Sequence, residues 1–374
     1  MPKITRPASL VRQGDLILYS TSLKVADLLI PNFYNIERLD PENAEGYQRV
    51  LNTSRAKKLA DYIVAGMESR DAFLPTSIFM ATNEEMPFNP ANNTIEIDTN
   101  LVCPFSIVDG QHRAEGLKIA AEKDERVKEF EIPVNIAVQL SELAQMSHFL
   151  IVNTTQKSVD EGIAQRIRAR LSQAVETEPL PTLPRWIARL VEKGEDASVL
   201  QLVDYLNVTG ESPWKDRIFM ANDDGKKSNR VTQKSFVTLI KKHYFLLNNP
   251  VCALNYPEDK QKKILLNYWK AIANIIGNDD SVLFRYVGAQ LFSMFAVPFF
   301  NKMVNIQNSF QVDVMQEVLQ KCFDAAEGEA TGSGHSDFWV TGGKASGLNS
   351  GAVSKVCQKL VIALHSSSNP VDDI

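Results

Sequence analysis

The chain has 374 residues, 44% of them hydrophobic and 23% charged, which fits a folded globular protein and excludes wholesale disorder. Forty Lys and Arg against 45 Asp and Glu give a net charge of −5, which excludes a uniformly basic nucleic-acid coat but allows local basic faces. The length exceeds one ordinary core, so two domains are expected. Cys103, Cys252, Cys322 and Cys357 are far apart and form no CxxC, which argues against a cysteine-built zinc site and gives no disulfide framework. Scattered cysteines suit a reducing compartment. The N-terminus has no apolar signal core, and the apolar run 291–300 is short and interrupted by Pro298. A cytoplasmic protein without a membrane partner is expected.

In chain order, residues 16–19 read as a strand and 24–29 as a short helix stopping before Pro31. Residues 54–67 predict a helix capped by Thr53 or Ser54, with Leu59, Ile63 and Met67 on its buried face. Strands are predicted over 75–80, 94–97, 105–108 and 132–140, with a loop over the Asn-rich 83–94. Helices are predicted over 111–122 and after Ser141, the latter carrying Met146, Phe149, Leu150 and Val152. Strands interleaved with helices indicate a mixed α/β domain over 1–165. The Pro-rich stretch 178–184 reads as a linker. A mainly helical domain is predicted over 185–374, with helices at 186–193, 198–206, 233–247, 260–276, 281–295, 312–325 and 351–364 and a Gly/Ser-rich loop over 326–351. The fold class is therefore α+β. Trp186, Trp214 and Trp269 are read as core residues, and Cys103 as a packed small residue.

The most informative stretch is Asp109-Gly110-Gln111-His112-Arg113, where a strand runs through a glycine into a helix. The first amides of a helix have no intrahelical partners and attract an anion. Gly110 allows close approach to the backbone. His112 and Arg113, read as cations, oppose the helix dipole, a placement that makes sense with an anion bound. Arg113 can grip phosphate oxygens bidentately, and Asp109 can orient His112 or Arg113 or hold a metal. The same spacing also fits a surface turn with an ordinary Asp109–Arg113 salt bridge.

Other constellations are weaker. Arg49, Arg55, Lys57 and Lys58 form a basic cluster that offers a second phosphate contact facing Arg113, or a solvated helix face. Asn153 and Gln156 can bond a base edge, hold the turn or cap a helix. Arg166, Arg168 and Arg170, and then Lys226, Lys227, Arg230, Lys234, Lys241 and Lys242, are basic runs that either face DNA or solvent. There is no Walker A motif, since Gly342-Gly343-Lys344-Ala345 lacks the hydroxyl after Lys. The loop around His335, Asp337 and Lys344 reads as a surface loop.

Asp109 to Arg113 matches the signature of the DGQHR-domain family in full. Tyr47-Gln48-Arg49 with the following Arg55, and Phe149, Asn153, Thr155, Gln156 and Lys157, resemble its flanking elements. Residues 30–165 carry the resemblance; Ser212-Pro213-Trp214 and the 232–236 segment add a less specific likeness. The family includes the DndB proteins of DNA phosphorothioation systems and the DpdB proteins of 7-deazaguanine DNA-modification systems. The resemblance implies a ParB/sulfiredoxin-like fold in the first domain and a phosphate-binding turn. Gln111 stands where sulfiredoxin has its reactive cysteine, which excludes sulfinic-acid reduction at this position.

The expectation is an accessory protein of a bacterial restriction-modification or defence system. It would bind and hydrolyse ATP, with or without Mg2+, through Asp109, Gln111, His112 and Arg113. Gly110, Arg49, Gln48, Asn153 and Gln156 would hold the nucleotide, and Asp109 any metal. DNA would be met by Lys226, Lys227, Arg230 and Lys234, alongside other proteins of the system and with homo-oligomerisation open. One alternative is a non-catalytic DNA-binding regulator of a phosphorothioation operon. Another is a ParB-like metal-dependent nuclease, with Asp98 and Glu115 as added carboxylates.

Overall fold

Eight strands of the N-terminal part come together in one mixed, curled sheet, and the rest of the chain is helical, an α+β architecture. The computed structural model describes residues 3–40, 46–156, 160–175, 177, 180, 183–223, 225, 231–245, 249–254, 256–277, 279, 281–306, 309–327, 338–340, 342–343, 345 and 350–366. Two compact units divide it, Met1–Glu192 and Lys193–Ile374. The boundaries expected at 165 and 185 both fall inside the first unit.

The strands of the first unit are β1 (Lys3–Gln13), β2 (Leu16–Lys24), β3 (Tyr34–Asn35), β4 (Ile78–Ala81), β5 (Phe88–Asn89), β6 (Thr94–Asp98), β7 (Phe105–Asp109) and β8 (Glu131–Ala137). Their order is β3-β7-β4-β8-β2-β1-β6-β5, with β3–β7 and β4–β8 parallel and the other pairs antiparallel. β1 joins two halves of the sheet: Lys3 to Pro7 pair with β6, and Ala8 to Gln13 pair with β2. This strand is absent from the sequence reading because only Ile4 and Ala8 of it are buried, so its alternation is thin. The Gly14-Asp15 turn, with Gly14 at φ +63°, returns the chain into β2. β7 is different. Phe105, Ser106, Ile107 and Val108 are all buried, the continuous run of a central strand covered on both faces. The expected loop 83–94 contains the two-residue β5.

The helices are α1 (Val25–Leu28), α2 (Thr53–Ser69), α3 (Thr99–Val102), α4 (Gln111–Lys123), α5 (Glu142–Gln156), α6 (Glu161–Ala174) and α7 (Arg185–Lys193). α2 packs against α4 through small residues. Ala56, Ala60, Ile63 and Gly66 of α2 are buried, while Leu59 and Met67 are only partly so. A Cβ at Gly116 of α4 would stand 3.0 Å from the Ala56 carbonyl and 2.9 Å from Leu59 Cδ2. Small residues thus set the closest approach, where the sequence reading weighted the large ones. The α2 cap also differs: Asn52, not Thr53 or Ser54, accepts from the Arg55 amide at 3.0 Å.

α6 corrects another expectation. Arg166 and Arg168 are only 6% and 5% exposed, and Arg168 pairs with Glu161 at 2.6 Å. These arginines therefore belong to the interior of the unit and form no DNA-facing strip.

In the second unit, α8 (Glu195–Val208), α9 (Gln233–Ile240), α10 (Pro250–Ala253), α11 (Glu258–Ile276), α12 (Tyr286–Ile306), α13 (Val312–Glu327) and α14 (Ser350–Ser366) accompany a two-residue parallel pair, β9 (Ile218–Phe219) and β10 (Val231–Thr232). The helix predicted over 233–247 is α-helical only to Ile240 and continues as a π-helical turn through Phe245. Trp214 and Trp269 are buried, their rings meeting edge-on at 5.3 Å. Trp186, expected in a core, is 49% exposed. α12 continues past Pro298, which lies inside it. Within the expected loop 326–351, Trp339 is fully buried against Phe292 and Phe323, and its indole N–H donates to Glu327 at 2.6 Å. Among the described residues no helix is long and apolar enough to cross a membrane.

Replacing Gly116 by Val should wedge α2 from α4 and lower stability by about 1–3 kcal/mol. Denaturant unfolding followed by circular dichroism measures it, and an unchanged midpoint would show that the contact yields freely.

Candidate functional site

The site begins at a distortion in β7. Phe79 pairs with Asp109 but Met80 pairs with Ile107, so Val108 is an extra residue on the β7 side. The Gln48 side-chain amide donates to the carbonyls of Ile107 and Val108, at 2.6 and 2.8 Å. At 1% exposure Gln48 serves as a clasp on the strand. The strand then ends at Asp109, and Gly110 turns it into α4 with φ +103°. The Gly110 carbonyl accepts from the Arg113 and Ala114 amides at 2.8 and 3.0 Å, starting the helix. A Cβ at Gly110 would lie 3.1 Å from Arg113 Nη2 and 3.3 Å from the Ile78 Cα, in a backbone region that L side chains avoid.

Arg113 holds the corner together. Its Nη2 donates to Asp109 Oδ2 at 2.7 Å and to the Ser77 carbonyl at 2.9 Å. The ion pair of the plain-turn reading is thus present. Arg113 Nε is nevertheless buried without a partner, as is Gln111 Oε1 on a residue only 4% exposed. Such atoms are expensive to bury unpaired, and they mark a place where a ligand can complete the bonding.

His112 is not a cation, contrary to the sequence reading. Its Nε2 accepts the backbone N–H of Asn52 at 3.0 Å, which puts the ring proton on Nδ1. Burial, and after it the guanidiniums of Arg49, Arg55 and Arg113, push its pKa down to about 4, against a smaller opposing pull from Asp109. The Asn52 bond also sets the start of α2 beside the start of α4.

A cavity of about 250 Å³ opens at this junction. Gln48, Arg49, Asp109, Gly110, Gln111, His112, Arg113 and Asn153, named in different parts of the sequence, all line it. Arg55 joins them, along with Leu59, Leu74, Thr76 and Phe149. Arg49 and Arg55 are exposed and have no side-chain partner among the described residues. Asn153 donates its amide to the Phe149 carbonyl at 2.9 Å, back along α5. Lys57 and Lys58 are exposed and do not line the cavity. The sequence reading missed Asn52, whose role runs through its backbone N–H, and the apolar wall of Leu59 and Leu74, which look like ordinary core positions.

Other expected contributors lie elsewhere. Gln156 is the last residue of α5, and its side chain is outside the described residues, as are Thr155 and Lys157. Lys226, Lys227 and Arg230, and the loop residues His335, Asp337 and Lys344, are likewise outside them. Lys234 is exposed near the start of α9. Lys241 is held by Asp196 at 2.8 Å and Glu195 at 3.3 Å, so it is no free contact for DNA. Asp98 caps α3 and Glu115 accepts from the Tyr34 hydroxyl at 2.8 Å, so neither joins Asp109 as a nuclease site would need. Among the described residues no three His, Cys, Asp or Glu side chains converge as metal ligands. The four cysteines are held as neutral thiols by burial, Cys103, Cys252 and Cys357 pushed up to about 11 and Cys322 to about 12.

Residues 6–166 match the model of the DndB family, described as DNA-sulfur modification-associated, and this stretch is a DndB-family region. The match spans the sheet, the DGQHR corner, α5 and the first turns of α6. No curated protein and no solved structure matches the chain, and the expected ParB/sulfiredoxin-like fold is not confirmed.

With a folded pKa near 4 against an ordinary 6.5, His112 takes up a proton more readily unfolded than folded. Its contribution to stability is therefore intact above pH 6.5 and lost as pH falls from 6.5 towards 4. Wild type should lose more stability over that window than His112→Gln, and nitrogen NMR of the imidazole should show Nδ1–H and a bare Nε2 at pH 7. A ring already protonated at pH 6 would contradict the geometry.

Proposed function

We propose that the cavity at the DGQHR corner binds the phosphate chain of a nucleotide, ATP being the first candidate, in the service of a DNA-sulfur-modification system. The carrying observation is the charge imbalance around the cavity. Arg49, Arg55 and Arg113 face a single carboxylate, Asp109, and His112 is neutral. Three positive charges less one leave a formal +2, and two helix N-termini add about half a charge each. The total, roughly +3, complements a di- or triphosphate better than one phosphodiester of a duplex. The orphaned Arg113 Nε, close against Gly110 at the start of α4, supports the same reading.

The volume supports the same reading. Ligand sites usually measure about 300–1,000 Å³, so a cavity of about 250 Å³ suits the phosphate end of a nucleotide with the base towards the rim. Asp109 is tied to Arg113, so a Mg2+ ion, where used, would be carried mainly by the phosphates themselves.

Hydrolysis is a separate step with thinner support. Asp109 is ion-paired and His112 Nε2 already accepts a hydrogen bond from the Asn52 amide, so neither is free as a general base. Gln111 is the remaining group able to orient a water, through its unpartnered Oε1. The geometry thus favours binding as the primary property, with any turnover slow. Contacts with DNA and with other proteins of the system belong to surfaces beyond this cavity.

Calorimetry with purified protein tests the reading. ATP should bind more tightly than inorganic phosphate or a short duplex, and Arg113→Ala or Arg49→Ala should each weaken it about tenfold or more with circular dichroism unchanged. Equal affinity for ATP and inorganic phosphate, or no binding of either, would sink it.

A further inference from the structure

We infer that Arg170, near the end of α6, is a positioning residue that sets where Arg49 stands in the cavity. The inference rests on the reading of that cavity as a phosphate site, but its geometry is independent of any ligand. Arg170 Nη2 donates to the Asp40 carbonyl at 2.8 Å, and Nη1 donates to the Gly46 carbonyl. One guanidinium thereby ties together two points of the chain six residues apart.

The tie lies immediately before the residues that deliver Arg49. Tyr47 and Gln48 donate their amides to the Glu37 carbonyl at 2.9 and 2.8 Å, and Leu39 donates back to the Gln48 carbonyl at 2.8 Å. Residues 37–39 and 46–48 therefore form a short pairing, and Arg170 closes the end where the chain departs from it and returns. Gly46 is required there: its φ is +66°, and a Cβ would collide with the Arg38 carbonyl. Tyr47 is fully buried against the Phe149 ring, its hydroxyl donating to Gln145 at 3.2 Å. Gln48 is clasped on β7. Arg49 follows as the first exposed residue, so its position is inherited from this assembly.

Two features make the tie more than ordinary packing. Arg170 bonds the backbone carbonyls of Asp40 and Gly46, next to the 37–39/46–48 pairing, so its loss should loosen that pairing first. Its fork spans two carbonyls at once, which a lysine ammonium at the same place cannot reproduce in fixed geometry. α6 thus acts on the cavity at a distance, through backbone.

Hydrogen exchange and nucleotide binding by the full chain test this together. In Arg170→Ala, the amides of Leu39, Tyr47 and Gln48 should exchange faster while those of β7 and α4 stay protected. ATP affinity should fall about tenfold, as in Arg49→Ala, and the Arg49→Ala/Arg170→Ala double variant should bind within about twofold of Arg49→Ala alone. Arg170→Lys, which keeps the charge and aids recovery of folded protein if the alanine variant is unstable, should loosen the same amides. Unchanged exchange at the three amides in both variants would overturn the tie. Additive losses in the double variant would overturn its action through Arg49 and leave a structural role only. Loosened amides in a protein whose wild type binds no nucleotide would instead refute the phosphate reading and leave the tie standing.

Discussion

The Asn52 amide donating to His112 Nε2 is the bond on which the site depends. It joins the residue that caps α2 to the first turn of α4, so two helix starts lie side by side. It also decides the chemistry of the histidine. A ring whose Nε2 accepts a backbone N–H hydrogen bond is held neutral, and the positive side chains lining the cavity are then all guanidiniums.

Around that bond the chain arranges a division of labour among neighbouring residues. In Tyr47-Gln48-Arg49, the tyrosine fills a core position, the glutamine lines the cavity while its amide is spent on carbonyls exposed by a bulge, and only the arginine is exposed there without a side-chain partner. In Asp109 to Arg113, Gly110 supplies the turn and the arginine secures the corner to β4 through the Ser77 carbonyl. Short motifs of this kind look functional throughout, yet most of their members are scaffolding for one or two groups that can meet a ligand.

The α+β class, the central strand and helix 111–122 were legible in the sequence because each carries a strong local signal: a continuous apolar run, a glycine junction, a helical period. The convergence of Arg49, Arg55, Arg113 and Asn153 was legible through motif resemblance, and the cavity places them together. What escaped was set by tertiary context. β1 shows little alternation because it is half covered, and α2 packs by its alanines. The burial of Arg166 and Arg168 cannot be read from charge, since the partners of an arginine are not encoded locally. The neutral state of His112 follows from a main-chain donor sixty residues away in sequence, a partner with no residue-type signature.

The four thiols, two buried and two partly buried, belong to a chain whose residues 6–166 match a family described as DNA-sulfur modification-associated. Handing a sulfur atom from one protein to another through a persulfide requires an ionised, reachable cysteine. Burial raises every thiol of this chain, to about 11 or 12, so the neutral form predominates at neutral pH. None of the four is held in the ionised form that such a transfer uses.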